Sequence, residues 1–198
     1  ILSKVQNLIE SKRIMLWLII TVIVVIIDQL TKYIIVKTIP FGESIPVIDR
    51  FFYLTLHKNP GAAWGILQNS RVMFLIMIPV ISLVIVFFLI RKNNSFLRLS
   101  LAIILGGAIG NYIDRFFEGQ VTDFLQFHIG TYPFPIFNVA DIAITCGTFL
   151  LAIYILFIYK EPTKLNQSGV QDGSEQGGIK QDDSVKDKEN ENTDISGS

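Results

Sequence analysis

Cysteine and histidine are nearly absent from this chain. Cys146 is the one cysteine, and His57 and His128 are the two histidines. An internal disulfide and a cysteine-rich metal site are therefore excluded. There is no H-E-x-x-H, and both histidines fall between the apolar segments, which argues against an intramembrane zinc peptidase. There is also no G-x-S-x-G, and no histidine inside an apolar segment to activate a serine. His57 and His128 are expected to be surface or loop-packing residues, and Cys146 a small core residue. Charge is scarce as well, at 17% of residues. No basic block or aromatic–basic interleaving suggests nucleic acid. Nothing in this inventory calls for a metal or a cofactor. The first residue is Ile1 rather than methionine, so the natural start is expected to be missing or altered.

What the chain has in quantity is hydrocarbon: 51% hydrophobic residues and a mean hydropathy of +0.49. Four segments, at about 14–36, 72–90, 97–117 and 139–159, are each long enough to cross a hydrocarbon core of about 30 Å at 1.5 Å per residue. The first has a basic start, but no small-x-small cleavage site follows it and "DQLTKYIIV" continues the helix. It reads as a retained span rather than a cleaved signal peptide. Lys4, Lys12 and Arg13 precede the first span; Arg91, Lys92 and Arg98 lie between the second and third; Lys160 and Lys164 follow the fourth. The 118–138 connection has neither Lys nor Arg. The bias of basic residues toward the cytoplasm then places both termini inside and the connections 37–71 and 118–138 outside. Lys37, Arg50, Lys58 and Arg71 weaken that contrast without reversing it. Residues 161–198 carry 4 basic against 9 acidic residues, and almost no large apolar ones. Such a segment cannot bury enough surface to fold, and a disordered acidic tail is expected beyond a domain at 1–160.

In the first outer connection "RFFYLTLHK" alternates, with Phe52, Leu54 and Leu56 on one face and Tyr53, Thr55 and His57 on the other. That is a short strand signal. "NPGAAWG" follows as a turn, with Trp64 as an expected interfacial anchor. Polar residues inside the spans fall at helical spacing. Thr21, Asp28 and Lys32 share a face of the first; Asn111 stands three and four residues before Asp114 and Arg115 in the third; Asn138, Asp141 and Thr145 form another face at the fourth. Lipid offers such faces no partner, so they should turn toward each other. The second span has no charge between Val72 and Ile90 and suits a lipid-facing support. Gly106 and Gly110 make a G-x-x-x-G spacing that permits close helix packing.

Asp123 and Asp141 flank a stretch interrupted by Pro133 and Pro135. The third span exits outward before Asp123 and the fourth re-enters beside Asp141, so both acids belong at the outer membrane surface, where the chain can double back and bring them together. Two adjacent carboxyls share a proton, because like charges raise one pKa. One member can then deprotonate a water while the other serves the substrate carbonyl, as in aspartic proteases. Spacing alone leaves three readings open: a structural polar core, an ion or proton pathway, and a carboxylate enzyme. Asp28 and Lys32, at i and i+4, could simply neutralise each other. Asp114 and the adjacent Arg115 point in different directions and should find partners on other elements.

"DQLTK", "NPGAAWG", "GGAIGNYIDR", "VTDF" and "FNVAD", in that order, resemble the motifs of lipoprotein signal peptidase, also called signal peptidase II. The resemblance covers about residues 14–160. It implies a mainly α membrane protein of the bacterial cytoplasmic membrane, with four spans and a small extracytoplasmic sheet. The implied activity is removal of the signal peptide from prolipoproteins by a cut just before a diacylglyceryl-modified cysteine. Membrane lipid would be the surroundings, and the cyclic peptide globomycin an inhibitor occupying the same cleft. The catalytic pair falls on Asp123 and Asp141. The other polar motif positions are Asn59, Asn111, Arg115 and Asn138, expected to support the site or hold substrate backbone, and Asp28, Lys32 and Asp114, expected to organise the polar centre.

Overall fold

The computed structural model describes residues 2–61 and 70–159, with side chains from Ile14 onward. Trp64 with the part of its turn beyond Gly61, the charged side chains before Ile14, and the tail lie outside the described residues. Along the chain come α1 (Leu2–Thr38), β1 (Ser44–Ile48), β2 (Phe52–Asn59), α2 (Arg71–Arg91), α3 (Ser95–Phe117), β3 (Val121–Ile129), β4 (Tyr132–Pro133) and α4 (Val139–Ile153). A π-helical turn, Tyr154–Ile158, continues α4. Among the described residues, four helical stretches are long and apolar enough to cross a membrane: Ile14–Thr38, Arg71–Arg91, Ser95–Phe117 and Val139–Ile158. They match the four expected spans, and α1 also continues N-terminally to Leu2.

The most buried of the four, α3, packs against α1, α2 and α4. Its glycines explain the closeness. A Cβ on Gly106 would lie 2.7 Å from Val24 Cβ, and one on Gly107 would lie 2.5 Å from the Ala140 carbonyl. α1 therefore approaches one side of α3 and α4 the other. Thr21 fastens the first contact by donating to the Ala102 carbonyl at 3.0 Å. α2 buries Phe74, Ile85 and Leu89 and leaves most of its apolar surface outward, as a lipid-facing support should. Arg98 lies in the first turn of α3 rather than in a loop. It is buried and donates to Asn93 Oδ1 and to the Ile90 carbonyl near the end of α2.

The strands form one antiparallel sheet in the order β1-β2-β3-β4. Because β2 follows α1 while β3 follows α3, their pairing puts both strand-bearing connections at the same end of the bundle. Two sequence expectations change here. The alternation in β2 breaks at a bulge between Leu54 and His57, which leaves Thr55 and Leu56 both buried. The 118–138 connection, read as a loop bent by prolines, holds the longest strand of the sheet. Pro133 sits in the two-residue edge strand β4, where a missing N–H is tolerated.

Candidate active site

Asp123 lies in the first half of β3, and Asp141 in the first turn of α4. What brings them together is a one-residue bridge. The Phe137 carbonyl accepts from Phe124 N at 3.0 Å and Leu125 N at 2.8 Å, and Phe137 N donates to the Leu125 carbonyl at 3.1 Å. The residue just ahead of α4 is thereby pinned to the strand that carries Asp123.

Asn138 comes next and connects the two acids. Its side-chain N–H donates to Asp123 Oδ1 at 2.6 Å, and its backbone N–H to Asp141 Oδ2 at 3.2 Å. Its side-chain oxygen accepts from Asp141 N at 3.0 Å, completing a capping box at the start of α4. Asn138 is thus the helix cap, not the first residue of a helical face, as the spacing had suggested. It is fully buried, with both ends of its side-chain amide engaged inside the protein. Asn59, at the end of β2, donates to Asp123 Oδ2 at 2.9 Å. Asn111 of α3 donates to Asp141 Oδ1 at 2.8 Å. Each carboxyl therefore receives two N–H donors. Burial, and then the charge of Asp141, push the Asp123 carboxyl up to about 7, against the pull of the Asn59 and Asn138 hydrogen bonds and the Lys32 charge.

The expected polar centre sits directly behind the pair. Lys32 lies 2.8 Å from Asp28 and 2.9 Å from Asp114. Both acids also reach the elements that carry the dyad. Asp28 Oδ1 accepts from Ala140 N at 2.8 Å, in the first turn of α4, and Asp114 Oδ2 accepts from Thr122 N at 3.0 Å, beside Asp123. Gln29 ties them together by donating to Asp28, Asp114 and the Gly110 carbonyl. The motif reading passed over Gln29, although a carboxamide in an apolar helix is itself a sign of a buried polar partner. Asp114 and Arg115 do diverge: the Arg115 guanidinium donates to the Gly61 carbonyl at 2.9 Å and stacks 4.4 Å from the Phe74 ring.

In front of the pair is a cleft of about 440 Å³. Asn59, Asn111, Arg115, Asp123 and Asp141 give it one polar wall, and Phe134 to Phe137 with Ile142 and Ile144 an apolar one. Val121, Thr145 and Cys146 complete the lining. Cys146 is exposed rather than a core residue, because Ala143 and Gly147 take the face of α4 that packs inward. His57 is exposed, and His128 packs against Tyr53 with ring centres 4.9 Å apart; neither lines the cleft.

Residues 20–157 match the family model described as signal peptidase (SPase) II. The chain is 46% identical over 144 residues to the lipoprotein signal peptidase of Bacillus pumilus (strain SAFR-032), covering 72% of this chain and 93% of the relative. Identity to the lipoprotein signal peptidase of Geobacillus kaustophilus (strain HTA426) is 42% over 146 residues, covering 73% and 94%. A solved structure of a bacterial membrane enzyme superposes with a TM-score of 0.68 at 42% identity, covering 74% of this chain and 92% of that one. With its four spans and its paired carboxyls at one end of them, this chain belongs to the signal peptidase II family.

Proposed function

We propose that this chain is an intramembrane aspartic endopeptidase that removes the signal peptide from diacylglyceryl-modified prolipoproteins, with Asp123 and Asp141 as the catalytic pair. The observation that carries this reading is that a buried carboxyl, Asp123, and a half-buried one, Asp141, bridged by Asn138, open onto one half-apolar cleft. In the proposed reaction the pair holds one proton. The ionised member takes a proton from a water, whose oxygen attacks the scissile carbonyl carbon. The protonated member gives its proton to the carbonyl oxygen. Collapse of the resulting diol breaks the C–N bond as a proton passes to the nitrogen, releasing the lipid-bearing cysteine as a new N-terminus.

The supporting groups divide by position. Asn59 and Asn138 hold Asp123, Asn111 holds Asp141, and Arg115 fixes the Gly61 carbonyl at the cleft wall. Asp28, Lys32 and Asp114 organise the ground behind them. The apolar wall suits a signal helix lying among the spans, with its acyl chains in the surrounding lipid. Globomycin would compete for this same cleft. In this reading residues 1–160 form the peptidase domain and 161–198 an acidic cytoplasmic tail; both termini are cytoplasmic, and the sheet and dyad face the other side.

The test is cleavage of a diacylglyceryl-modified precursor by purified protein, compared with the unlipidated form. Asp123→Asn and Asp141→Asn should each leave a folded protein with cleavage reduced by about 10³-fold or more. Full cleavage by either variant would rule out the pair.

A further inference from the structure

Lys32 has three N–H donors and no acceptor. Two are taken by Asp28 Oδ2 and Asp114 Oδ2, and the third points at Asn111 Oδ1 at 3.1 Å. The same Asn111 oxygen accepts from Asn138 Nδ2 at 3.2 Å, while the nitrogen end of the Asn111 carboxamide donates to Asp141 Oδ1 at 2.8 Å. A carboxamide can rotate by half a turn and exchange its two ends with little change of shape. Here that flip would set the Asn111 N–H₂ against an ammonium and a second N–H₂, and its oxygen against the Asp141 carboxyl. Three hydrogen bonds would become three mismatches. Lys32 and Asn138 are both buried, so water cannot repair the two inward mismatches.

We infer that Lys32 is a positioning residue for the dyad: by fixing the Asn111 oxygen inward, it commits the Asn111 N–H₂ to Asp141 and aims that carboxyl at the cleft. Asp28 and Asp114 hold the ammonium in place, and the Lys32 charge reaches Asp141 through one polarised amide. The inference rests on the peptidase reading above and adds a task for Lys32 beyond neutralising two acids.

A double-mutant cycle on the full chain, followed by cleavage of the lipid-modified precursor, tests it. Lys32→Met should lower kcat roughly 10- to 100-fold with KM within about threefold. Lys32→Gln, which keeps an N–H for Asn111, should recover much of the loss. In an Asn111→Leu background, Lys32→Met should cost less than about a further threefold, because the group it acts through is gone. Equal losses from Lys32→Met in both backgrounds would overturn the inference. Should Lys32→Met not fold, Asn111→Asp decides: it keeps an oxygen for Lys32 but presents no N–H to Asp141, so kcat should still fall at least tenfold, and unchanged kcat refutes the lock. Asp123→Asn and Asp141→Asn run alongside separate the two proposals. Cleavage by either defeats the peptidase reading, whereas two inactive variants with an additive cycle defeat the lock alone.

Discussion

Asp123 is buried, accepts two amide N–H bonds and still holds its proton to about pH 7. Desolvation and the neighbouring carboxyl together outweigh the donors that favour its ionised form. The sign for activity follows directly. The pair as proposed works with one shared proton, and the raised Asp123 carboxyl retains it at neutral pH but gives it up above about 7. The kcat/KM of the enzyme should therefore fall about tenfold per pH unit on an alkaline limb beginning near pH 7. A profile from pH 5 to 9 checks this; a limb near pH 4, where an ordinary carboxylate titrates, would remove Asp123 as the proton holder. At the same scale, the asparagines were legible as polar residues in apolar surroundings. Which end of each amide faces which acid was not, because that depends on donors from three separate elements.

Between elements, the site depends on how closely α1, α3 and α4 approach. Gly110 of α3 faces Asp28, and a Cβ there would lie 2.5 Å from Asp28 Oδ2. Asp28 cannot retreat without lengthening its bonds to Lys32 and to Ala140 N, and the second of these fixes the start of α4. Gly110→Ala should lower stability by about 1–3 kcal/mol, as overpacking does. It should also cut cleavage more than its effect on folding explains, because Asp141 moves with the helix start. Thermal unfolding in detergent beside a turnover assay measures both; a variant of unchanged Tm and kcat would show that the contact yields freely. The sequence offered G-x-x-x-G as a packing motif, and packing is its task, with a carboxylate as one of the partners.

For the molecule as a whole, the apolar spans and the sheet that joins them account for the proposed site without the acidic tail. Truncation after about residue 162 should leave cleavage of a lipid-modified precursor within about twofold of the full chain, a difference of roughly 0.4 kcal/mol in barrier. A large fall in turnover would assign the tail a part in catalysis. The two lipoprotein signal peptidases match over nearly their whole length with 72% and 73% of this chain.

The sequence by itself determined the four spans, the faces on which their polar residues stand and the pair of acids set apart by prolines. Each of these is a local property: hydrocarbon length, helical period, and the inability of proline to continue a helix. Tertiary structure alone decided that the Phe137 bridge pins α4 to β3, that a capping asparagine joins the two carboxyls, that Cys146 faces the cleft, and that Asp28 and Asp114 anchor the dyad's own elements. These contacts join residues up to 112 positions apart. No local pattern encodes them, since they arise only when buried polar groups on different elements must satisfy one another in the absence of water.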